Sequence, residues 1–172
     1  MPANERADSF ITPETFGTEP GCKMESPRGP LLIAGCRAGS YLSSKVITHY
    51  RELLGQSGRG GETAYLENVD FQFSDGETCA RLAKDVSGCD VFLFQGLCNP
   101  APGPAVDQNY MAFLIAARTF REWGAQHVTA VLPYLSYARQ DKPTWFMKEP
   151  TTAKLMADLS IEAGIDRMVT WH

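Results

Sequence analysis

The 172-residue chain contains no apolar run approaching the roughly 20 residues that a membrane-spanning helix needs. Its first 30 residues also lack the apolar core of a secretory signal, so a cytoplasmic location is expected and a membrane partner is not. Positive charge is not in excess: 16 Lys and Arg stand against 20 Asp and Glu, for a net charge of −4. That balance argues against a general binder of nucleic-acid backbones, which shows a basic patch and a high isoelectric point. The five cysteines, Cys22, Cys36, Cys79, Cys89 and Cys98, are odd in number and include no C-x-x-C pair. Most lie in or beside apolar segments, where a reduced, buried thiol is expected. The three histidines, His49, His127 and His172, have no ligand spacing, so no dedicated zinc site is expected. A G-x-x-x-x-G-K-[ST] phosphate loop is missing as well.

What is present is an ordinary soluble composition, 44% hydrophobic and 21% charged, at a length that suits one domain. Residues 1–30 hold five prolines and three glycines without a sustained period and read as a mobile tail or loosely docked arm. Leu31–Gly35 is a short apolar run ended by glycine, the pattern of a buried strand. Ser40–Leu54 has helical spacing through Leu42, Val46, His49-Tyr50 and Leu53. Four glycines within residues 55–61 then mark a loop. Asn68–Phe73 and Glu77–Leu82 read as extended segments joined by Ser74-Asp75-Gly76, a hairpin or a short bent connection.

Further on, Asp90–Gly96 reads as a buried strand and Asn99–Pro104 as a loop. Val106–Trp123 is expected to be a helix, with Met111, Leu114, Ile115, Arg118, Phe120 and Trp123 along it. His127–Tyr134 reads as another buried strand. A helix is expected to start at Glu149-Pro150-Thr151-Thr152, with Leu155, Met156 and Leu159 as its apolar face and Gly164 as its end. Arg167–Thr170 begins a last strand. Strands alternating with helices indicate an α/β fold, a Rossmann-like and mostly parallel sheet flanked by helices, here with a protruding β-hairpin.

Such sheets bind ligands in the crevice at the carboxyl ends of their strands. Three stretches fall at strand or hairpin ends. In Phe73-Ser74-Asp75-Gly76-Glu77 an aromatic ring that can stack on a flat base stands beside two carboxylates that can accept from its exocyclic amine, although a solvated turn has the same composition. In Tyr134–Lys142, Arg139 and Lys142 can hold phosphate oxygens, one by a planar fork and one as a point charge. Gln140 carries both a donor and an acceptor; the alternative is an exposed polar loop. Thr170-Trp171-His172 is a weaker signal, because a chain-terminal histidine frays. Gly35-Cys36-Arg37-Ala38-Gly39 is a loose glycine loop that could meet phosphate only through backbone N–H groups at the helix start, and it is read as turning the chain.

Phe73-Ser74-Asp75-Gly76-Glu77, Pro133-Tyr134-x-x-Tyr137-Ala138-Arg139-Gln140-Asp141-Lys142, Glu149-Pro150-x-Thr152-Ala153-Lys154-Leu155 and Ala163-Gly164-x-Asp166-Arg167 together resemble the ribose-phosphate pyrophosphokinases (PRPP synthetases). The likeness covers about residues 31–172. It implies a phosphoribosyltransferase-like domain on the ATP side of a transferase that moves the β,γ-diphosphate of Mg²⁺-ATP onto the 1-hydroxyl of ribose 5-phosphate. PRPP and AMP are the implied products. Arg139 and Gln140 would contact ATP with Lys142 close by, and Phe73, Asp75 and Glu77 would reach the adenine of a neighbouring subunit in a homo-oligomer.

Family enzymes have two similar domains, and the likeness corresponds to the first. The isolated chain is therefore expected to make little PRPP, since half of a site cannot orient the second reactant. A second reading is a non-catalytic subunit that associates with such enzymes. Counted without gaps, His172 falls on the family's aspartate, so it is assigned no catalytic role. The loop Asn99–Val106 looks longer than in the family, and Pro143–Met147 replaces a usually basic stretch with Trp145 and Phe146. Asp85 and Ser87 stand where many members carry a serine and an arginine for phosphate regulation. A carboxylate repels phosphate, so activation by added phosphate should be weak or absent. Strong activation of a full-length enzyme would contradict that expectation.

Overall fold

A computed structural model of the chain describes residues 28–58, 63–98 and 105–171. Most of the expected amino-terminal tail, most of the loop that begins at Asn99, and Cys22 and His172 therefore lie outside the described residues. The described chain begins against the sheet rather than apart from it. Arg28 Nε donates to Asp90 Oδ2 over 3.2 Å, and Asp90 N–H donates to the carbonyl of Pro30 over 2.9 Å.

The elements in chain order are β1 (Leu31–Gly35), a 3₁₀ turn (Arg37–Gly39), α1 (Ser40–Gln56), β2 (Ala64–Leu66), β3 (Asp70–Gln72), β4 (Thr78–Ala80), β5 (Asp90–Phe94), α2 (Val106–Glu122), β6 (His127–Leu132), α3 (Thr152–Glu162) and β7 (Arg167–Thr170). Five of the strands form one sheet in the order β2-β1-β5-β6-β7, and every pairing in it is parallel. β3 and β4 make a separate antiparallel hairpin. The α/β architecture with a hairpin outside the main sheet is thus present. Among the described residues no helix is long and apolar enough to cross a membrane.

Apolar side chains alternate across the central strands, and each set meets a different helix layer. Ile33, Phe94 and Val131 face α1 through Ile47. Leu32, Ala34, Val91, Leu93, Val128 and Ala130 face the larger core, where Phe113 and Phe120 of α2 are fully buried. The register places Gly35 beside Phe94, Phe94 beside Val131 and Val131 beside Val169. The loops after β1, β5 and β6 consequently leave the same edge of the sheet, where α/β proteins bind ligands.

Several expectations from helical spacing shift by one position or turn outward. On α1 the buried residues are Ser43, Ile47 and Leu54, with Leu42 and Val46 half-buried and His49 exposed. On α2 the buried stripe is Asn109, Tyr110, Ala112, Phe113, Ala116, Ala117 and Phe120, whereas Met111 and Trp123 are exposed. Small alanines let α2 approach the sheet, so the larger apolar groups nearby need not point inward. α3 starts at Thr152, not Glu149, and leaves Leu155 and Leu159 exposed, with Ser160 its buried residue and Met156 half-buried. β2 was not anticipated: three residues are too short to show a period. Cys36 and Cys89 are buried free thiols as expected, but Cys79 is half-buried and Cys98 exposed.

The segment Gly35–Gly39 does turn the chain, and its glycines serve close packing. A Cβ on Gly39 would lie 2.2 Å from the carbonyl oxygen of Phe94, at the end of β5. A Cβ on Gly55, in the last turn of α1, would have nothing within 4 Å. Gly39→Ala is therefore expected to destabilise the domain by about 1–3 kcal/mol through backbone displacement. Gly55→Ala should stabilise it by about 0.5–1 kcal/mol through helix propensity. Urea denaturation midpoints of the two variants check this, and equal shifts of one sign would contradict it.

Candidate functional site

The chain leaves β6 at Leu132, which is fully buried, and by Arg139 every side chain is in solvent. Between them the backbone reverses at Tyr137, whose φ of +65° lies in the left-handed region. For a residue with a bulky side chain that conformation is unusual and costs of order 1–2 kcal/mol, so the surroundings must impose it. Gln140 N–H donates to the Tyr137 carbonyl over 2.9 Å, and Ala153 N–H donates to the Gln140 carbonyl over 3.2 Å. These bonds fasten the loop to the start of α3. Arg139, Gln140, Asp141 and Lys142 follow as an exposed row. Among the described residues, the side chains of Arg139 and Lys142 make no hydrogen bond or ion pair, which leaves both cations available to a ligand.

The loop continues into a second ordered turn. Met147 N–H donates to the Thr144 carbonyl over 3.0 Å, and Phe146 has a φ of +64°. Thr144 N–H donates to Glu149 Oε2 over 3.0 Å, and hydrogen bonds from Thr144 hold the Glu149 carboxyl below its ordinary range. Engaging Glu149 in this way keeps it out of α3 and accounts for the later helix start. The turn presents Trp145 and Phe146 almost entirely to solvent, at 86% and 99% exposure.

The hairpin tip is built independently. Phe73 N–H donates to the Glu77 carbonyl over 2.8 Å, Gly76 N–H to the Phe73 carbonyl over 3.0 Å, and Glu77 N–H to Asp75 Oδ1 over 3.0 Å. Gly76 takes a φ of +92°, which glycine adopts at little cost. Phe73 is 50% exposed, with its ring edge-on to Phe71 at 5.3 Å, and Arg81 covers the Phe71 ring at 5.0 Å. Asp75 and Glu77 are both exposed. The tip is thus a firm turn with an aromatic and two carboxylates facing outward. Among the described residues no hydrogen bond or ion pair links Phe73, Asp75 or Glu77 to Arg139, Gln140 or Lys142.

Other polar groups at the carboxyl edge escaped sequence reasoning. Asp70, 3% exposed, accepts from the Arg37 N–H over 2.6 Å and from Arg37 Nε over 3.1 Å, which ties the hairpin base to the turn after β1. Burial, and secondarily the Asp70 charge, push the adjacent Cys36 thiol well above its usual range, with Arg37 partly opposing. Gln95 follows β5, is 1% exposed, and donates Nε2 to the Asn109 carbonyl over 2.9 Å. Arg37, Asp70, Thr78, Gln108 and Asn109 line a pocket of about 230 Å³ between the hairpin base and α2. A larger groove of about 460 Å³ lies between Arg81, Lys84 and Asp85 on one side and Thr119 and Trp123 on the other. It contains none of the six candidate residues. Asp85 on its wall accepts from the Ser87 N–H over 3.0 Å. The only available hint of these groups was a polar residue directly after an apolar strand, as at Gln95.

The family model of the N-terminal domain of ribose phosphate pyrophosphokinase matches residues 31–164. A ribose-phosphate pyrophosphokinase of Clostridium perfringens is 44% identical over 98 residues, covering 57% of this chain and 29% of that protein. One from Chromobacterium violaceum is 34% identical over 140 residues, covering 81% of this chain and 38% of that protein. The crystal structure of phosphoribosylpyrophosphate synthetase from Mycobacterium smegmatis aligns with a TM-score of 0.64 at 33% identity, over 82% of this chain and 42% of that one. The chain spans less than half the length of each of these relatives.

Proposed function

The chain belongs to the ribose phosphate pyrophosphokinase family through that family's N-terminal domain, and from this we propose that it forms the ATP side of a ribose-phosphate diphosphokinase. The observation that carries the reading is the exposed Arg139–Lys142 row at the carboxyl end of β6, with two cations that have no partner among the described residues. Arg139 would hold phosphate oxygens through paired N–H donors, and Lys142 would add a mobile point charge. Gln140 would meet either the phosphates or the base, having both a donor and an acceptor.

The reaction would cleave the bond between the α-phosphate and the β-phosphorus of ATP. The β,γ-diphosphate passes to the 1-hydroxyl of ribose 5-phosphate, and AMP leaves. Transfer of this kind depends on alignment and on neutralising charge at the transferred group, which is work that two unpaired cations on one loop can do. Among the described residues no three His, Cys, Asp or Glu side chains form a metal-binding cluster. Mg²⁺, which the family likeness implies is required, enters this proposal with the Mg²⁺-ATP substrate.

The hairpin would serve a second copy of the chain. Its tip is ordered by its own backbone and projects Phe73, Asp75 and Glu77 away from its anchor. Phe73 would stack on an adenine held by the neighbour, with the carboxylates accepting from the exocyclic amine. The site would then be complete only in a homo-oligomer, with ribose 5-phosphate held by parts of the protein other than this domain.

Titration calorimetry of the chain with Mg²⁺-ATP tests the assignment. Arg139→Ala should weaken binding roughly tenfold or more, the scale of a lost charge-assisted hydrogen bond. Lys84→Ala, in the larger groove, should leave affinity unchanged. An unaltered dissociation constant in Arg139→Ala would sink the proposal. A chain with no affinity for Mg²⁺-ATP would fit the non-catalytic subunit instead.

A further inference from the structure

The strained backbone at Tyr137 needs something to hold it, and the restraint comes from α2 rather than from the loop itself. The Tyr137 hydroxyl donates to the Asp107 carboxylate in the first turn of α2. The Tyr137 ring stands edge-on to Tyr110, one helical turn further along, with centroids 6.0 Å apart. Tyr110 is 3% exposed and is itself held in place. Its hydroxyl bonds to Ser160 Oγ over 3.0 Å and to the Met156 carbonyl over 3.2 Å, and its ring packs edge-on against Phe113 at 5.8 Å. A chain of contacts therefore runs from α3 through α2 to the left-handed Tyr137, two positions before Arg139.

We infer that Asp107 is a positioning residue for the Arg139–Lys142 loop, acting through the Tyr137 hydroxyl and touching no substrate itself. The inference rests on the reading of that loop as the nucleotide site. Two features suit Asp107 to the role. An anion in the first turn of a helix is favoured by the partial positive charge there, so its carboxylate is a dependable acceptor. It also projects from the rigid α2, whose Phe113 and Phe120 are fully buried, so the loop is referenced to the core. Tyr110 supplies the second restraint by fixing the plane of the Tyr137 ring. With the phenol anchored at both ring and hydroxyl, relaxation of Tyr137 to a right-handed backbone would break the contact and swing Arg139 away from its present direction.

Amide hydrogen exchange on the full 172-residue chain tests the device without any ligand. Asp107→Ala and Tyr137→Phe should each speed exchange at the Gln140 and Ala153 amides by roughly three- to tenfold, the factor of one net hydrogen bond. The double variant should go no further than either single one, because both remove the same contact. Asp107→Asn keeps an acceptor and should stay near the wild-type rate, which separates the contact from the helix-charge effect. Amides of β6 and of the middle of α2 should not move. Additive effects, unchanged Gln140 exchange, or a rise across β6 and α2 as well would each overturn the inference, the last by showing a general loss of stability.

Mg²⁺-ATP affinity supplies the second readout. Asp107→Ala should raise the dissociation constant severalfold with an unshifted melting temperature, and Asp107→Asn should restore it. If exchange behaves as expected but the wild-type chain binds no Mg²⁺-ATP, the nucleotide reading fails while the loop device stands. If Mg²⁺-ATP binds but affinity ignores Asp107, the positioning role is overturned.

Discussion

Helix layers bury both faces of β1, β5 and β6: Leu32, Ala34, Val91, Leu93, Val128 and Leu132 are completely inaccessible in the larger core, and Ile33, Phe94 and Val131 are buried toward α1. Such strands cannot carry unpaired charge along their length, because removing a charge from water without a partner costs several kcal/mol or more. Polar chemistry is thereby confined to their ends. Leu132 is fully buried, and Arg139 to Lys142 are exposed only a few residues later. The register that aligns Gly35, Phe94 and Val131 brings the loops after three strands to one edge. The position of the candidate site follows from burial of the sheet, and its particular residues follow from the loop.

Two kinds of restraint then shape that edge. Glycine allows contact where a side chain would intrude, as at Gly39 against the Phe94 carbonyl. Left-handed backbone at Tyr137 and Phe146, where glycine is not used, turns the loop twice and sends its side chains outward. Strain of this sort persists only where neighbours over-determine it, and it gathers at functional segments. The two groups of candidate residues are both ordered, yet they are not joined within the described chain.

The long buried strands and both longer helices were legible because their patterns are strong. Leu31–Gly35 and Val91–Phe94 are continuous apolar runs, and 106–122 keeps a helical period through the whole of α2. The hairpin was legible from Ser74-Asp75-Gly76, which the structure places at its tip. Orientation was harder to read. The spacing along α2 did not say which side faces inward: Met111 and Trp123 are exposed, and the stripe with Ala112, Ala116 and Ala117 meets the sheet. Glu149-Pro150 looked like a helix start, but Glu149 is engaged by Thr144. The exposed Arg139-Gln140-Asp141-Lys142 row was visible in the sequence. The Asp107–Tyr137 contact that steadies it was not, since it joins residues thirty positions apart and depends on a backbone reversal that a tyrosine gives no sign of making.

The most direct test of the central claim is an amide chemical-shift map of the ¹⁵N-labelled chain titrated with Mg²⁺-ATP. The proposal predicts saturable shifts at residues 138–142 and, if copies associate, at 73–77, with β2 and the groove beside Trp123 silent. Shifts centred on Arg81, Lys84 and Trp123 with the 138–142 amides unmoved would contradict it.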